Sequence, residues 1–389
     1  MFDLSSVVVC LTVILGIGYS LILAAVIVSA PQDPPSPNVV SDKLPTVAVV
    51  LSVYDEERTI LSALRVLTNL DYPRERLSIL IVDDCSTDGT FSMIKDFLGA
   101  NPKLQTRIVR NEVRKGKARS VHDALLLINS ELIAFTDADI EFESDAIKRM
   151  AALFTDCRTG AVSASARPCS LERGLGATVE NVFREFYNVL RYAESEIDSP
   201  LMCEGGLSLF RRDALRDLPL ISVCDDLVRT LTVRRNNFKA VYLRDPTYVE
   251  LTSGRLNTDI RQKMRRGVNQ QRTLLHFLGL VRPKYGRFGL IILPWSVFMM
   301  IVSPVLTAAS VILCLALAVQ GLWSTLLMLS AGIIPLSMLA YSVVRHYGRK
   351  DCLPWKAMPI LGFGFTLFQL ALFVTLFTKP QPIFQGPRS

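Results

Sequence analysis

Histidine and paired cysteines are scarce in this sequence of 389 residues. There are three histidines, and the eight cysteines include no Cys-x-x-Cys pair. This pattern argues against a zinc site, a disulfide framework and a serine–histidine nucleophile, because each of these needs clustered ligands or a histidine base. Scattered thiols are also typical of proteins in a reducing cytosol.

Charge is scarce as well, because Asp, Glu, Lys and Arg make up 20% of the residues, whereas hydrophobic residues make up 50%. The mean hydropathy of +0.33 is high for a wholly soluble protein. The formal net charge of +7 fits an anionic membrane surface and anionic substrates. This excess is too small and too dispersed to indicate nucleic acid, and we expect no nucleic-acid partner.

Two stretches without charged side chains predict membrane-spanning helices. Residues 6–30 are apolar, and about 20 such residues are enough to cross a hydrocarbon core of about 30 Å. Because no Lys or Arg precedes them, a retained transmembrane helix is favoured over a cleaved signal peptide. Residues 288–344 contain no Asp, Glu, Lys or Arg. With the apolar segment that follows, they predict three C-terminal transmembrane helices within 286–378.

The remaining stretches differ in character and divide the chain further. They are a Pro-rich linker (31–45), a central α/β domain (46–257), an interfacial basic segment (258–285) and a tail (379–389). Under the positive-inside rule, the basic loops 282–287 and 345–350 lie in the cytoplasm with the central domain. We therefore expect an integral protein of the cell membrane that contacts membrane lipids and has a cytoplasmic central domain.

Two familiar nucleotide-binding motifs are absent from the central domain. No Gly-x-Gly-x-x-Gly follows the first predicted strand, and no Gly-x-x-x-x-Gly-Lys-Ser/Thr occurs. Their absence argues against a dinucleotide-binding Rossmann enzyme and a P-loop NTPase. Apolar strands and helices nevertheless alternate, which predicts a parallel, doubly wound sheet. The predicted strands are 46–53, 77–82, 104–109, 132–135, 160–166 and 241–243.

Acidic side chains follow three of these strands. In chain order they are Asp55, Glu57, Asp83, Asp84, Asp137 and Asp139. Ligands of open α/β sheets bind outside the carboxyl ends of the strands, and carboxylate oxygens suit Mg²⁺ or Mn²⁺ together with substrate phosphates. Asp137-Ala138-Asp139 therefore predicts a metal–diphosphate site. The alternative is an acidic strand-to-loop cap, which is common at sheet edges.

Four segments together resemble the family 2 glycosyltransferases of GT-A fold in their order and spacing. They are Val-Tyr-Asp-Glu-Glu (53–57), Val-Asp-Asp-Cys-Ser-Thr-Asp-Gly-Thr (82–90), Lys-Gly-Lys-Ala (115–118) and Asp-Ala-Asp (137–139). The resemblance implies a Rossmann-like mixed sheet and a UDP- or GDP-sugar donor. It implies that Asp139, together with Asp137, holds a divalent cation, Mg²⁺ or Mn²⁺. It places these residues around the donor nucleotide: Tyr54, Asp55, Glu57, Asp84, Lys117 and Asp137.

Two later segments match further parts of this family. Cys-Glu-Gly-Gly (203–206) resembles the glycine-rich acceptor loop, in which Gly205 and Gly206 would let the backbone approach a sugar closely. A simple turn is the alternative. Asp225-Asp226 matches the Glu-Asp segment of inverting members, which implies that Asp226 is the general base at the acceptor, with Asp225 in the position of Glu. The alternative is a helix N-terminus whose dipole stabilises both acids.

A basic segment at 260–267 resembles the Gln-x-x-Arg-Trp motif of the polymerising members, the cellulose, hyaluronan and poly-N-acetylglucosamine synthases. Gln262 and Arg265 match it, and Arg266 replaces the Trp. We expect these three residues to contact the donor diphosphate, because guanidinium groups bind phosphates through two hydrogen bonds. The lost Trp disfavours processive synthesis. The alternative is a basic patch on anionic lipid. The amphipathic stretch 172–196 predicts a helix that packs on the domain or lies near acceptor and membrane.

The favoured function is metal-dependent, inverting transfer of a sugar from a nucleotide sugar to a lipid-linked or glycan acceptor at the membrane. Three alternatives stay open: a processive polysaccharide synthase, a polyprenyl- or dolichyl-phosphate glycosyltransferase, and a membrane scaffold with a degenerate nucleotide-sugar domain. The second is disfavoured because a phosphate acceptor needs no base such as Asp226. The third is disfavoured because Asp139 and Asp226 are both present.

Overall fold

A computed structural model of the protein describes most of the central domain and parts of both ends. The described residues are 7–8, 10–11, 14–16, 18, 44–102, 104–167, 175–221, 225–250, 256–319, 345–346 and 365–378. They form two compact units. The sheet unit contains the described residues of 44–167 and 198–250, and the helical unit contains those of 7–18, 175–197 and 256–378. Most of the predicted N-terminal helix, linker and tail, and residues 320–344, lie outside the described residues.

The sheet unit is built on one sheet of eight strands, in the spatial order β3-β2-β1-β4-β7-β6-β8-β5. The strands are β1 (Val47–Val53), β2 (Leu77–Asp83), β3 (Thr106–Arg110), β4 (Leu132–Thr136), β5 (Ile140–Phe142), β6 (Thr159–Arg167), β7 (Leu207–Arg211) and β8 (Lys239–Glu250). Its helices are α1 (Ile60–Thr68), α2 (Thr90–Ala100), α3 (Lys117–Leu125), α4 (Ala146–Ala151) and α6 (Asp225–Arg235).

Both faces of this sheet are buried, which explains why its central strands are continuously apolar. On β1, Val47 and Val49 lie in the core that also contains Ile60 of α1 and Ile147 of α4. Residues at alternate positions, such as Val50, lie in a second core with α3 and α6 on the opposite face. The sheet is therefore held between two helical layers, and its polar ends remain available for a site.

The parallel, doubly wound arrangement is confirmed for the first four strands, because β3, β2, β1 and β4 pair in parallel. The other half of the sheet is mixed, as the resemblance to the GT-A fold implies. Strand β7 runs antiparallel to both β4 and β6, and β5 runs antiparallel to β8. Strands β5 and β7 are absent from the sequence prediction. The apolar residues of β7 directly follow the Gly-Gly segment and were assigned there to a loop.

The helical unit contains α5 (Leu175–Ile197), α7 (Leu256–His276) and α9 (Phe365–Phe377), together with a long apolar helix, α8 (Phe288–Val319). Within the described part of the chain, α8 is the one helix that is long and apolar enough to cross a membrane, with 32 residues and a mean hydropathy of 2.4. It coincides with the first of the three predicted C-terminal helices. The full set of spans stays a prediction.

A proline and two glutamines shape the middle of α8, which has π-helical turns at 288–292 and 298–302. Pro304 has no backbone N–H and so leaves the carbonyl of Met300, four residues earlier, without its helical donor. The buried Gln271 of α7 fills this gap, since its Nε2 donates to the Met300 oxygen at 2.8 Å. Gln369 of α9 accepts a hydrogen bond from the Ser303 hydroxyl at 3.2 Å. Side-chain amides thus satisfy polar groups inside an apolar helix bundle.

Candidate active site

The predicted acidic residues lie along one edge of the sheet. Strands β1, β2 and β4 are parallel and end at Val53, Asp83 and Thr136, so their carboxyl ends meet at this edge. Strand β1 lies between β2 and β4, and the order of the strands reverses there. Such a reversal opens a crevice in which open α/β sheets bind their ligands. The fold thus brings together three acidic segments that are far apart in the sequence.

Asp84 anchors the basic loop that precedes α3. Its carboxylate is buried and accepts hydrogen bonds from the backbone N–H groups of Lys115 (2.8 Å) and Gly116 (2.7 Å). The Asn111 amide and the Ser120 hydroxyl also donate to it, each at 2.8 Å. Gly116 has φ 93°, a conformation that a residue with a side chain rarely adopts. Asp84 therefore fixes the loop that carries Lys117, and its direct contact with a donor stays a prediction.

Replacing Asp84 with asparagine should lower the stability of the protein by about 3 kcal/mol, because an amide N–H₂ would face backbone N–H donors inside the fold. Thermal unfolding of the detergent-purified full chain measures this loss. Asp156→Asn is the matched control, since Asp156 pairs with the nearby Arg158 at the protein surface. Equal unfolding temperatures for the two variants would contradict this role of Asp84.

Asp55 and Glu57 tie the loop after β1 to the loop after β2. One oxygen of Asp55 accepts hydrogen bonds from the backbone N–H (2.8 Å) and hydroxyl (3.2 Å) of Thr87. Glu57 accepts one from the backbone N–H of Gly89 at 3.0 Å. Asp55 has φ 52°, so the chain turns sharply directly after the strand. These two predicted donor-binding residues shape the rim of the crevice.

Tyr54 stacks against an arginine that the sequence analysis did not single out. The guanidinium of Arg114 lies 3.6 Å from the centre of the Tyr54 ring, within the range of a cation–π interaction. A hydrogen bond with Asp55, together with burial, raises the pKa of the Tyr54 hydroxyl, although Arg114 opposes this shift. Tyr54 therefore remains a neutral aromatic surface beside the crevice at physiological pH.

Lys117 and Asp137 form an ion pair across the crevice. The Lys117 Nζ lies 2.5 Å from Asp137 Oδ1, and 38% of the lysine side chain is exposed. Burial alone would lower the pKa of Lys117, but the carboxylates of Asp137, Asp225 and Asp226 outweigh it and raise the pKa. Lys117 is thus a permanent cation at the first residue of α3, where the helix N-terminus also favours an anionic ligand.

Asp225 and Asp226 occupy the first turn of α6. The charges of Lys117 and Asp137 act on the Asp226 carboxylate, so these groups share one neighbourhood. The role of Asp226 as general base stays a prediction. The guanidinium of the buried Arg229 binds both carboxylates, at 3.2 Å from Asp225 Oδ2 and through its other amino group to Asp226 Oδ1. Burial and the neighbouring charge of Asp225 raise the pKa of Asp226 to about 6. For Asp225, burial is outweighed by Arg229 and Lys117, which lower its pKa.

The glycine-rich segment lies directly against the predicted base. A β-carbon placed on Gly205 would stand 2.6 Å from Asp226 Oδ2, which is closer than real contacts allow. A β-carbon on Gly206 would overlap the ring of Tyr248 on β8, at 2.3 Å. Both positions therefore require glycine for close approach, Gly205 to the carboxylate and Gly206 to the aromatic ring. The predicted neighbourhood of this segment and Asp226 is present, and its contact with a sugar stays a prediction.

The residues expected at a divalent cation fit its chemistry. Asp137 and Asp139 follow β4 with one residue between them, and both are half-buried. The described residues contain no group of three or more His, Cys, Asp or Glu side chains that could hold a metal by themselves. Mg²⁺ and Mn²⁺ commonly use one or two carboxylates and complete their coordination with substrate phosphates and water. Two carboxylates beside a crevice are therefore a sufficient protein contribution.

The three residues that are predicted to contact the donor diphosphate lie on α7, in the helical unit. Arg265 and Arg266 are exposed there. Gln262 belongs to the same helix, and its side chain lies outside the described ones. Their predicted contact with a donor diphosphate stays a prediction.

Comparisons with known proteins agree with this fold. Residues 48–219, a little under half of the chain, match the model of Glycosyl transferase family 2, so this part of the chain is similar to the glycosyltransferase domains of that family. The Beta-monoglucosyldiacylglycerol synthase of Nostoc sp. (strain PCC 7120) is 30% identical over 123 residues, which are 32% of this chain and 26% of that protein. The N-acetylglucosaminyltransferase of Rhizobium meliloti (strain 1021) is 24% identical over 269 residues, 64% and 62% of the respective chains. The chain spans about a quarter of the length of the relatives it matches first.

A solved structure shares the fold along nearly the whole chain. It is the mannosyltransferase PcManGT from Pyrobaculum calidifontis, in complex with GDP-Man and Mn²⁺. The TM-score is 0.74 at 24% sequence identity, and the alignment covers 96% of this chain and 99% of that one. The mixed Rossmann-like sheet is therefore of the GT-A type. The predicted grouping with polysaccharide synthases stays a prediction.

Proposed function

We propose that the protein is an inverting, metal-dependent glycosyltransferase that moves a hexose from a UDP- or GDP-sugar to a lipid-linked or glycan acceptor at the membrane. One observation carries this proposal. Asp226 is a carboxylate with a pKa of about 6, lying beside a glycine-rich segment and the Lys117–Asp137 pair at the switch point of a GT-A sheet. A carboxylate in this setting is suited to remove the proton from an acceptor hydroxyl.

Asp226 acts as the general base in this mechanism. At cytosolic pH it is mostly ionised, and its raised pKa makes it a better proton acceptor than an exposed carboxylate. It takes the acceptor hydroxyl proton as that oxygen attacks the anomeric carbon. The bond from the anomeric carbon to the diphosphate oxygen breaks on the opposite side, so the sugar configuration inverts. Asp225, with its lowered pKa, stays ionised throughout.

The other end of the crevice binds the leaving diphosphate. Asp137 and Asp139 would hold the divalent cation, which neutralises the developing charge on the diphosphate when it is bound. Lys117, charged and at a helix N-terminus, supplies a second positive group for the phosphates. The solved complex of PcManGT with GDP-Man and Mn²⁺ supports a nucleotide-sugar donor and a divalent cation for this chain.

The acceptor end and the membrane location rest on different observations. The name of one relative, Beta-monoglucosyldiacylglycerol synthase, supports a lipid-linked acceptor. The apolar helix α8 supports an integral membrane protein. The basic loops 282–287 and 345–350 support a catalytic domain in the cytoplasm. The replacement of Trp by Arg266 supports limited transfer over processive synthesis. The need for a base at Asp226 supports a hydroxyl acceptor over a polyprenyl or dolichyl phosphate.

The dependence of the rate on pH tests this assignment. We expect kcat to fall about tenfold per pH unit below a pH of about 6, because protonated Asp226 cannot accept the acceptor proton. The measurement is nucleoside diphosphate release by the detergent-purified full chain with Mn²⁺ or Mg²⁺. A panel of UDP- and GDP-sugars is used, and diacylglycerol or a lipid-linked sugar is the acceptor.

The wild-type profile is compared with that of Asp156→Asn, which removes an exposed acid at the opposite edge of the sheet, just before β6. The control should show the same fall of kcat at low pH, which is the acid limb of the profile. A rate that is flat from pH 5 to pH 7 in the wild type, with a folded enzyme, would contradict the role of Asp226 as base. An absence of turnover with every donor would contradict the proposed function itself.

A further inference from the structure

Helix α6 carries an arginine that faces back towards its own first turn. Arg229 is 1% exposed and follows Asp226 by three residues and Asp225 by four. Its two terminal amino groups point at different carboxylates, one at Asp225 Oδ2 and the other at Asp226 Oδ1. One rigid guanidinium therefore sets the separation of the two acids, which a single-point ammonium could not do.

The guanidinium is itself held in place by the sheet. It lies 4.1 Å from the ring centre of Phe135, the residue of β4 that precedes Thr136 and Asp137. A second ring, Phe210 of β7, lies at 5.8 Å from the guanidinium and packs edge-to-face on Phe135. Stacking on an aromatic face orients the plane of the guanidinium. The position of Asp226 is thereby linked to the strand that also carries the predicted cation-binding residues.

Arg229 also balances an excess of negative charge. The charged groups around Asp226 are Asp225 and Arg229 on α6, Lys117 on α3 and Asp137 after β4, and the thiol of Cys203 lies near Arg229. Two cations thus face three carboxylates. Without Arg229, these two adjacent, half-buried carboxylates would have Lys117 alone, and one of them would hold a proton at neutral pH.

Stability alone does not account for this arrangement. Buried ion pairs contribute little net stability, because the cost of removing the charges from water offsets their attraction. An ordinary helical pair of Asp and Arg four residues apart is an exposed contact of modest strength. Here the arginine of such a pair is buried, its guanidinium binds two carboxylates, and it stacks on an aromatic ring beside the crevice.

We propose that Arg229 is the positioning residue of the general base. It touches neither donor nor acceptor, and it acts by fixing the orientation and ionised state of Asp226. This inference rests on the proposed function, since it assigns a role within the same site.

Three variants separate a positioning role from a structural one. Arg229→Met keeps the approximate length of the side chain and removes its charge. Arg229→Lys keeps the charge and removes the two amino groups that bind separate carboxylates. Arg234→Met is the matched control. Arg234 is another buried arginine on α6, and it pairs with Asp198 at 3.2 Å and with the Phe238 carbonyl at 2.7 Å, away from the two acids.

Each variant is assayed for nucleoside diphosphate release and transfer with the donor that the wild type uses, from pH 5 to pH 9, alongside its unfolding temperature. For Arg229→Met we expect kcat at pH 7 to fall about 100-fold, KM for the donor to change less than about threefold, and the acid limb to rise by about one pH unit or more. Arg229→Lys should return the limb close to the wild-type pH, with kcat about tenfold below wild type.

Arg234→Met should lower the unfolding temperature without moving the acid limb. An unchanged limb and kcat in Arg229→Met would overturn the proposal. Equal losses of kcat in Arg229→Met and Arg234→Met, with the acid limb of both variants at the wild-type pH, would also overturn it. If Arg229→Met does not fold, Arg229→Lys tests the proposal instead. A wild-type kcat in a variant that lacks the two guanidinium amino groups would contradict the positioning role. A wild type that turns over no donor instead contradicts the proposed function, so the two failures are distinct.

Discussion

Replacing Asp226 with asparagine should reduce sugar transfer by about 10³-fold, because an amide cannot accept the proton of the acceptor hydroxyl. The same substitution should raise the stability of the protein at pH 7. The pKa of Asp226 in the fold is about 6, above the ordinary aspartate value of 3.8. Its ionised form is therefore disfavoured by folding, and asparagine removes that penalty, which is about 3 kcal/mol.

The pH dependence of stability follows from the same shift. As the pH falls from about 6 to about 4, the folded protein takes up a proton at Asp226 that the unfolded chain does not, so the wild type gains stability. Asp226→Asn should lack this gain. Thermal unfolding from pH 4 to pH 8, with initial rates from the same preparations, measures both effects.

Asp225→Asn is the matched comparison for stability. It makes the same substitution at the adjacent residue, and the expected change in stability has the opposite sign. The pKa of Asp225 is lowered in the fold, so its ionised form is favoured there and its loss should destabilise the protein at pH 7. Loss of activity without any gain of stability in Asp226→Asn would show that the carboxylate is not held at an energetic cost. Retained activity would remove Asp226 from the mechanism.

Replacing Gly205 with alanine should lower kcat by about 100-fold with little change in donor affinity. The new methyl group would stand 2.6 Å from Asp226 Oδ2 and 3.0 Å from its Cγ, so the carboxylate must move. A displacement of this kind breaks the alignment between base and acceptor hydroxyl, on which proton transfer depends. Donor affinity is measured by isothermal titration with the nucleotide sugar, and kcat by nucleoside diphosphate release.

Gly99→Ala is the control for this prediction. Gly99 lies near the end of α2, where a β-carbon would meet no atom within 4 Å, so alanine should leave the rate unchanged and favour the helix slightly. If Gly205→Ala keeps the wild-type kcat, Asp226 has room to move without losing function. The glycine would then serve the backbone turn alone.

The acidic edge of the sheet could be predicted from the sequence because it depends on local patterns. An apolar run that ends in acids marks a buried strand and its carboxyl end, and parallel strands bring those ends together. This reasoning predicted Asp137 at this edge, whereas Lys117 and Asp226 were predicted only from the family resemblance. The structure brings Lys117 and Asp226 near Asp137. The sequence could not show that the carboxylates of Asp84 and Asp55 accept hydrogen bonds from loop N–H groups, since those donors are about 30 residues away in the chain.

Strand β7 and Arg229 were missed for physical reasons of their own. One partner of β7 is β4, more than 70 residues earlier, and strand formation depends on such neighbours more than on local preference. Arg229 looked like an ordinary charged residue of a helix. Its spacing of three and four residues from Asp226 and Asp225 was an available signal, but only the packing of Phe135 shows that the side chain is buried.

The most direct test of the central claim is proton NMR of a donor mixed with the detergent-purified full chain, an acceptor lipid and Mn²⁺-free Mg²⁺ buffer. We expect the anomeric signal of one UDP- or GDP-sugar to disappear only when the cation is present. We also expect a product signal of the opposite anomeric configuration to replace it, and Asp226→Asn to show neither change. Consumption with retained configuration, equal consumption by wild type and Asp226→Asn, or no consumption of any donor by folded protein would contradict the central claim.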